Sequence, residues 1–95
     1  MSRTVQYSPA AIQDLDRVWD EVYEASKSGE TALNYVYDLM DEIAESAPRL
    51  FYQDMDTGYR YIPFRSYIAF YFIDGEAIKV SRVLYGRSDY MRKLF

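Results

Sequence analysis

Two runs decide the fold: Tyr67-Ile-Ala-Phe-Tyr-Phe-Ile73 and, after Asp74-Gly75-Glu76, Ala77-Ile-Lys-Val-Ser-Arg-Val-Leu-Tyr85. Both are rich in β-branched and aromatic residues and have the length of strands. Asp-Gly between such runs is a tight-hairpin signal, because glycine reaches the positive φ that a two-residue turn needs. Gly86 breaks the second strand. Working upstream, Tyr59-Arg-Tyr-Ile-Pro63 reads as another strand, ending at a residue that cannot donate to a ladder. Gln53 to Thr57, with Asp54 and Asp56, reads as a mobile loop whose carboxylates belong to a solvated turn. Downstream, Asp89 to Phe95 is either one more helical turn or an extended tail.

The first half has a different periodicity. Ala32, Tyr35, Val36, Leu39, Met40, Ile43, Ala44 and Ala47 recur at intervals of three and four, which predicts a helix from about Thr31 to Ala47, stopped by Pro48. Before it, Ser8-Pro9 reads as a helix start, with a capping hydroxyl followed by a residue suited to the first helical position. Ile12, Leu15, Val18, Trp19, Val22 and Tyr23 form its apolar stripe. Asp14, Asp16, Asp20, Glu21 and Glu24 fall mostly off that stripe. Lys27-Ser28-Gly29 ends the helix, with Gly29 expected as the residue just past the end. So short a link makes an antiparallel αα-hairpin. Thr4 to Tyr7 reads as an opening strand. The order is β-α-α-β-β-β: an α+β domain over residues 1–95, with the helical hairpin on one face of a mostly antiparallel four-stranded sheet. The other face is expected to be open and rich in Tyr and Arg.

Composition narrows the chemistry. The 95 residues are 49% apolar and 27% charged, which is ordinary for a globular chain. Cys and His are absent. Disulfides, thiolate nucleophiles, zinc-type clusters and the usual general base near neutral pH are thereby excluded, and no metal or organic cofactor is implied. The longest apolar run is too short to cross a bilayer, and Met1-Ser-Arg-Thr-Val does not read as a signal peptide. The expected location is cytoplasmic, with no membrane partner. Net charge is −4, unevenly spread. Residues 1–48 hold three basic and ten acidic groups, and residues 49–95 hold eight basic and five acidic ones. This is either a solvated acidic helix surface or a pair of binding faces.

In the second half Arg outnumbers Lys six to two, and seven tyrosines share the region. A planar guanidinium suits phosphate or carboxylate. Tyr and Arg together serve single-stranded RNA or a protein interface, and Tyr also simply fills strands. For the patch as a whole an interface is favoured. Strict alternation puts Ile78, Val80, Arg82 and Leu84 on one face of the last strand, and Lys79, Ser81, Val83 and Tyr85 on the other. A core built on Ile78 and Val80 would then draw Arg82 inward. Either Arg82 reaches out from the strand end or a bulge re-aims it, and an ion pair with a helix carboxylate competes with any functional role. A ribonuclease without His would need Tyr85, Asp89, Glu76 and an Arg cluster. A phenol titrating near ~10 suits a general acid better than a base.

These residues resemble the ParE/RelE superfamily of toxins from bacterial type II toxin–antitoxin modules. The carriers are Ser8-Pro9-Ala10-Ala11, Gly58-Tyr59-Arg60, Pro63-Phe64-Arg65-Ser66-Tyr67 and, most specifically, Arg82-Val83-Leu84-Tyr85-Gly86-Arg87-Ser88-Asp89-Tyr90. The resemblance covers nearly the whole chain. It implies a growth-inhibiting toxin neutralised by a cognate antitoxin. Relatives either poison DNA gyrase, as ParE does, or cut mRNA on the ribosome, as RelE does. By resemblance Arg60, Arg82, Tyr85 and Arg87 are catalytic candidates if the chain is RelE-like. Tyr59, Tyr61, Arg65, Tyr90 and Arg92 are expected on the target- or partner-binding surface. A branch that uses Glu with His is disfavoured, since Tyr85 stands where many relatives carry His. The acidic balance disfavours a target made of rRNA and tilts the expectation toward gyrase. A non-toxic antitoxin-binding domain with a decayed site is a third reading, and a homodimer is possible.

Overall fold

The computed structural model describes residues 4–47 and 60–86. In chain order they form β1 (Thr4–Tyr7), α1 (Pro9–Ser26), α2 (Gly29–Ser46), β2 (Arg60–Phe64), β3 (Tyr67–Asp74) and β4 (Ala77–Tyr85). The sheet order is β1-β4-β3-β2, with β1 parallel to β4 and the other pairs antiparallel. The two helices pack on one face, so the expected α+β architecture holds. The expected Gln53–Thr57 loop and the tail from Asp89 lie outside the described residues.

Local chemistry sets the helix ends. The Ser8 hydroxyl accepts the Ala11 amide at 3.0 Å and donates to the Ser81 carbonyl at 2.8 Å. One side chain thus caps α1 and ties it to the sheet. Ser8→Ala removes both bonds and is expected to cost about 1–2 kcal/mol, read as a lower urea midpoint with an unchanged slope. At the other end the expectation for Gly29 was wrong. Lys27 takes the left-handed position (φ 56°) and donates its amide to the Tyr23 carbonyl at 2.6 Å. Gly29 instead opens α2, because the Ser28 hydroxyl accepts the Thr31 amide and starts a new helix at once. Two residues, Lys27 and Ser28, make the whole link.

The core lies between the helices and the sheet. Val18 from α1, Val36, Leu39 and Ile43 from α2, and Ile62, Ala69, Tyr71, Ile78, Val80 and Val83 from the sheet are its buried members. The α1 stripe needs two corrections. Asp14 is on the buried face, between Ala11 and Val18, whereas Ile12 and Tyr23 are exposed. Tyr71 is fully buried, and its hydroxyl donates to the Ala47 carbonyl at the end of α2 at 3.1 Å.

A bulge controls β4. Phe70 pairs with Arg82 but Tyr71 pairs with Val80, leaving Ser81 as an extra residue. Ile78 and Val80 face the helices, and after the slip Val83 and Tyr85 do so as well, opposite Ala69 and Tyr67. The strict alternation expected from sequence therefore fails at Ser81, because one inserted residue inverts the facing of all that follow. The face away from the helices is consequently not the expected Tyr- and Arg-rich surface. By register it carries Tyr61, Pro63, Ile68, Phe70, Phe72, Lys79, Arg82 and Leu84. Of these, Phe70 and Leu84 are buried.

Burial also sets a pH limit. Tyr7 is pushed up to about 12, first by desolvation and then by the charge of Asp41. Tyr71 and Tyr35 are raised too, with desolvation the leading cause. A phenol whose folded-state value exceeds its unfolded value near ~10 favours the fold fully below about pH 10, and that contribution disappears as pH rises through the folded value. Urea midpoints are expected to be flat from pH 7 to 9 and to fall between about pH 10 and 12. A flat midpoint across the alkaline range would contradict this.

Candidate functional site

β1 ends at Tyr7, so β4 beyond Val80 has no strand partner on that side. α1 takes over. The Asp14 carboxylate accepts the Val83 amide at 2.9 Å, and Arg17 donates to the Val83 carbonyl at 3.2 Å. Arg82 then binds Asp14 side-on, Nε to Oδ2 at 2.7 Å and a terminal nitrogen to Oδ1 at 3.0 Å. Arg17 reaches the same carboxylate at 3.0 Å. Asp14 is 2% exposed, so its charge is compensated by two guanidiniums and a backbone amide in a nearly dry site. The hydrogen bonds that Arg82 donates to Asp14 raise it above its ordinary value, against an opposing effect of burial. The ion pair with a helix carboxylate, weighed from sequence as a competitor for Arg82, is what forms.

Next to this network is an open cleft of about 450 Å³, between α1, the start of α2 and the ends of β3 and β4. Glu21, Val22, Ala25, Ser26, Tyr35, Ser66, Tyr67 and Tyr85 line it. Tyr67 donates its hydroxyl to Glu21 and meets the rings of Tyr35 and Tyr85 edge-on, at 6.0 and 5.7 Å. Burial first, and Glu21 second, push the Tyr67 phenol far up, so at neutral pH it is a donor and not a base. Gly86, just after Tyr85, donates its amide to the carbonyl of the lining residue Ser66 at 2.7 Å. A Cβ at Gly86 would lie 3.3 Å from that carbonyl oxygen and 3.2 Å from Ile68, which is why the strand breaks at a glycine.

Arg65 stands in the two-residue turn between β2 and β3 with φ 53°. Its guanidinium lies over the rings of Tyr35 and Phe64, 4.9 and 4.8 Å from their centres, and 3.8 Å from Asp38. Those ring contacts offset the cost of the left-handed backbone, which is about 1–2 kcal/mol for a residue with a Cβ.

The three catalytic candidates within the described residues, Arg60, Arg82 and Tyr85, are not brought together. Tyr85 borders the cleft. Arg82 is spent on Asp14. Arg60 pairs across the sheet with Tyr71, whose hydroxyl its guanidinium adjoins. From the register, the Cα atoms of Arg60 and Tyr85 are separated by four residues of strand and two strand spacings, roughly 16 Å. Glu76, in the β3–β4 turn, is at the opposite end of β4 from Tyr85, roughly 25–30 Å away. Tyr61 lies on the face away from the helices. Tyr59, Arg87, Asp89, Tyr90 and Arg92 lie outside the described residues, as do Asp54 and Asp56. Asp14, Glu21, Tyr35 and Tyr67 were missed as site-forming groups. Only Asp14 had a sequence signal, standing three residues after Ala11 and four before Val18. Among the described residues no group of acidic side chains is arranged to hold a metal ion, and no helix is long and apolar enough to cross a membrane.

The fold has solved counterparts. The chain is similar to a structure of the chromosomal ParDE toxin–antitoxin system of P. aeruginosa, with a TM-score of 0.72 at 20% identity over 90% of this chain and 98% of that one. It is also similar to YafQ of E. coli strain BL21(DE3), with a TM-score of 0.61 at 15% identity over 98% of both chains. The E. coli DinJ–YafQ toxin–antitoxin complex gives 0.57 at 16% identity, over 90% of this chain and 93% of that one. At these identities the likeness concerns the fold. No curated protein matches significantly in sequence. The sequence pattern of the ParE toxin of the type II toxin–antitoxin system parDE, however, matches residues 5–90, and the chain belongs to that family.

Proposed function

We propose that the chain arrests growth as a ParE-like inhibitor of DNA gyrase, acting by binding rather than by cutting RNA, and that a cognate antitoxin holds it inactive. The observation that carries this reading is the side-on pairing of Arg82 with the buried Asp14. RNA cleavage needs a proton acceptor, a proton donor and free cations around the reacting phosphate. Here one of the candidate cations is neutralised, and Arg60 is far from Tyr85. The one charged residue lining the cleft beside Tyr85 is the Glu21 carboxylate, which repels a polyanion. Membership of the ParE toxin family and the likeness to a ParDE structure support the same reading, and the toxin–antitoxin complexes among the similar structures support a cognate antitoxin as partner.

The test is induction of the chain in a bacterial host with pulse labelling of DNA and protein synthesis together. An early fall in DNA synthesis is expected, and purified protein should inhibit gyrase supercoiling. Protein synthesis failing first, with cleaved transcripts that disappear in Tyr85→Phe, would replace this reading with a RelE-like nuclease. Normal growth with soluble protein present would mean a toxin without activity.

A further inference from the structure

We infer that the cleft between Glu21, Tyr35, Tyr67 and Tyr85 is a receptor for a basic side chain, lysine or arginine, carried by a segment of a partner protein. The only charged group among its eight lining residues is the Glu21 carboxylate. Three phenol rings, Val22 and Ala25 supply the remaining walls, together with two hydroxyls, Ser26 and Ser66. Rings flanking one carboxylate recognise cations in two ways at once: the ring faces attract positive charge, and the aliphatic stem packs on apolar surface. The volume, about 450 Å³, is ample for one long side chain.

The geometry of Glu21 fits this use. One carboxylate oxygen holds the Tyr67 hydroxyl, which fixes the rotamer, and Arg17 is only loosely attached to the other at 3.6 Å. A carboxylate has about four lone-pair sites, so acceptor capacity remains. Arg65 is not a lining residue: its guanidinium is engaged by Asp38 and by the rings of Phe64 and Tyr35, which takes up one face of Tyr35 and leaves the cation-attracting role to Tyr67, Tyr85 and Glu21. Charge complementarity therefore selects a cationic guest and disfavours a nucleic-acid phosphate or an acidic peptide. The inference does not depend on the cellular target, because it concerns only the sign and shape of the guest.

The experiment is an NMR titration of the ¹⁵N-labelled chain with four probes: N-acetyl-arginine amide, N-acetyl-lysine amide, N-acetyl-glutamate amide and hexauridylate. Saturable shifts at Ala25, Ser26, Ser66 and Tyr85 are expected with the arginine or lysine probe. Glu21→Gln, which retains an acceptor for Tyr67, should weaken that binding about ten-fold or more through loss of a charge-assisted bond. No shifts with either basic probe, or equal binding to Glu21→Gln, would overturn the inference. So would preferential binding of glutamate amide, or of hexauridylate, which would mark an RNA site. Shifts at the same residues that grow with protein concentration alone would assign the cleft to a second copy of this chain and overturn the partner assignment. Gyrase inhibition and the growth phenotype do not enter the readout, so the two proposals fail separately.

Discussion

Asp14→Ala is expected to be the most damaging single substitution in α1, costing about 3–5 kcal/mol. Removing the carboxylate leaves the Val83 amide without its acceptor and leaves Arg82, still partly buried, with an uncompensated charge. Leaving a buried donor unmade costs more than the average hydrogen bond is worth, because the group has already lost its water. A domain of this size has a total stability of only about 5–15 kcal/mol, so the variant is expected to lose a large share of it. The measurement is a urea or thermal midpoint by circular dichroism. Arg82→Ala alone should cost less, since Arg17 still compensates Asp14 and the Val83 amide keeps its acceptor. The paired change Asp14→Leu with Arg82→Met should recover part of the loss, because apolar replacement of a buried ion pair is often close to neutral. The Val83 amide would still lack an acceptor, so recovery should be incomplete. If Asp14→Ala had a midpoint within error of the parent, the network would be ornamental and the reading of Arg82 as a structural group would fall. The same logic governs toxicity assays. Loss of activity in an Arg82 variant carries no information about catalysis until folding has been measured.

The second large effect belongs to Tyr71. It is buried to 0% exposure in the middle of β3, facing the helices between its strand neighbours Arg60 of β2 and Val80 of β4. Tyr71→Ala is expected to cost about 3–5 kcal/mol, through lost apolar contact and the cavity left behind. Tyr71→Phe separates the ring from the hydroxyl. It keeps the packing but leaves the Ala47 carbonyl without its donor, so about 1–2 kcal/mol is expected. Unfolding free energies of the two variants give both contributions. A Tyr71→Phe loss as large as that of Tyr71→Ala would mean that the hydroxyl, and not packing, anchors the end of α2. That result would also change the account of Arg60, whose guanidinium adjoins the same hydroxyl.

Much of this protein was determined by local sequence. The intervals of Ala32, Val36, Leu39 and Ile43 fix a helix with a defined buried face, and Ser8-Pro9 fixes where α1 begins, because capping and periodicity act within a turn or two of chain. The strand runs from Tyr67 and Ala77, with Gly75 at φ 61° between them, fix the hairpin for the same reason. What the sequence could not decide were contacts between residues far apart in the chain. The slip at Ser81 coincides with the early end of β1, beyond which Ser8, just ahead of α1, and Asp14 and Arg17 of α1 bond to β4's free edge at separations of 66 to 73 residues. That slip turned Tyr85 toward the helices and joined it to Glu21, Tyr35 and Tyr67, and the same edge engaged Arg82. Periodicity reports which face of an isolated element is apolar. It carries no information about an edge left unpaired by a strand 70 or more residues earlier, and in this protein that edge decides which arginine is structural and which tyrosines form the cleft.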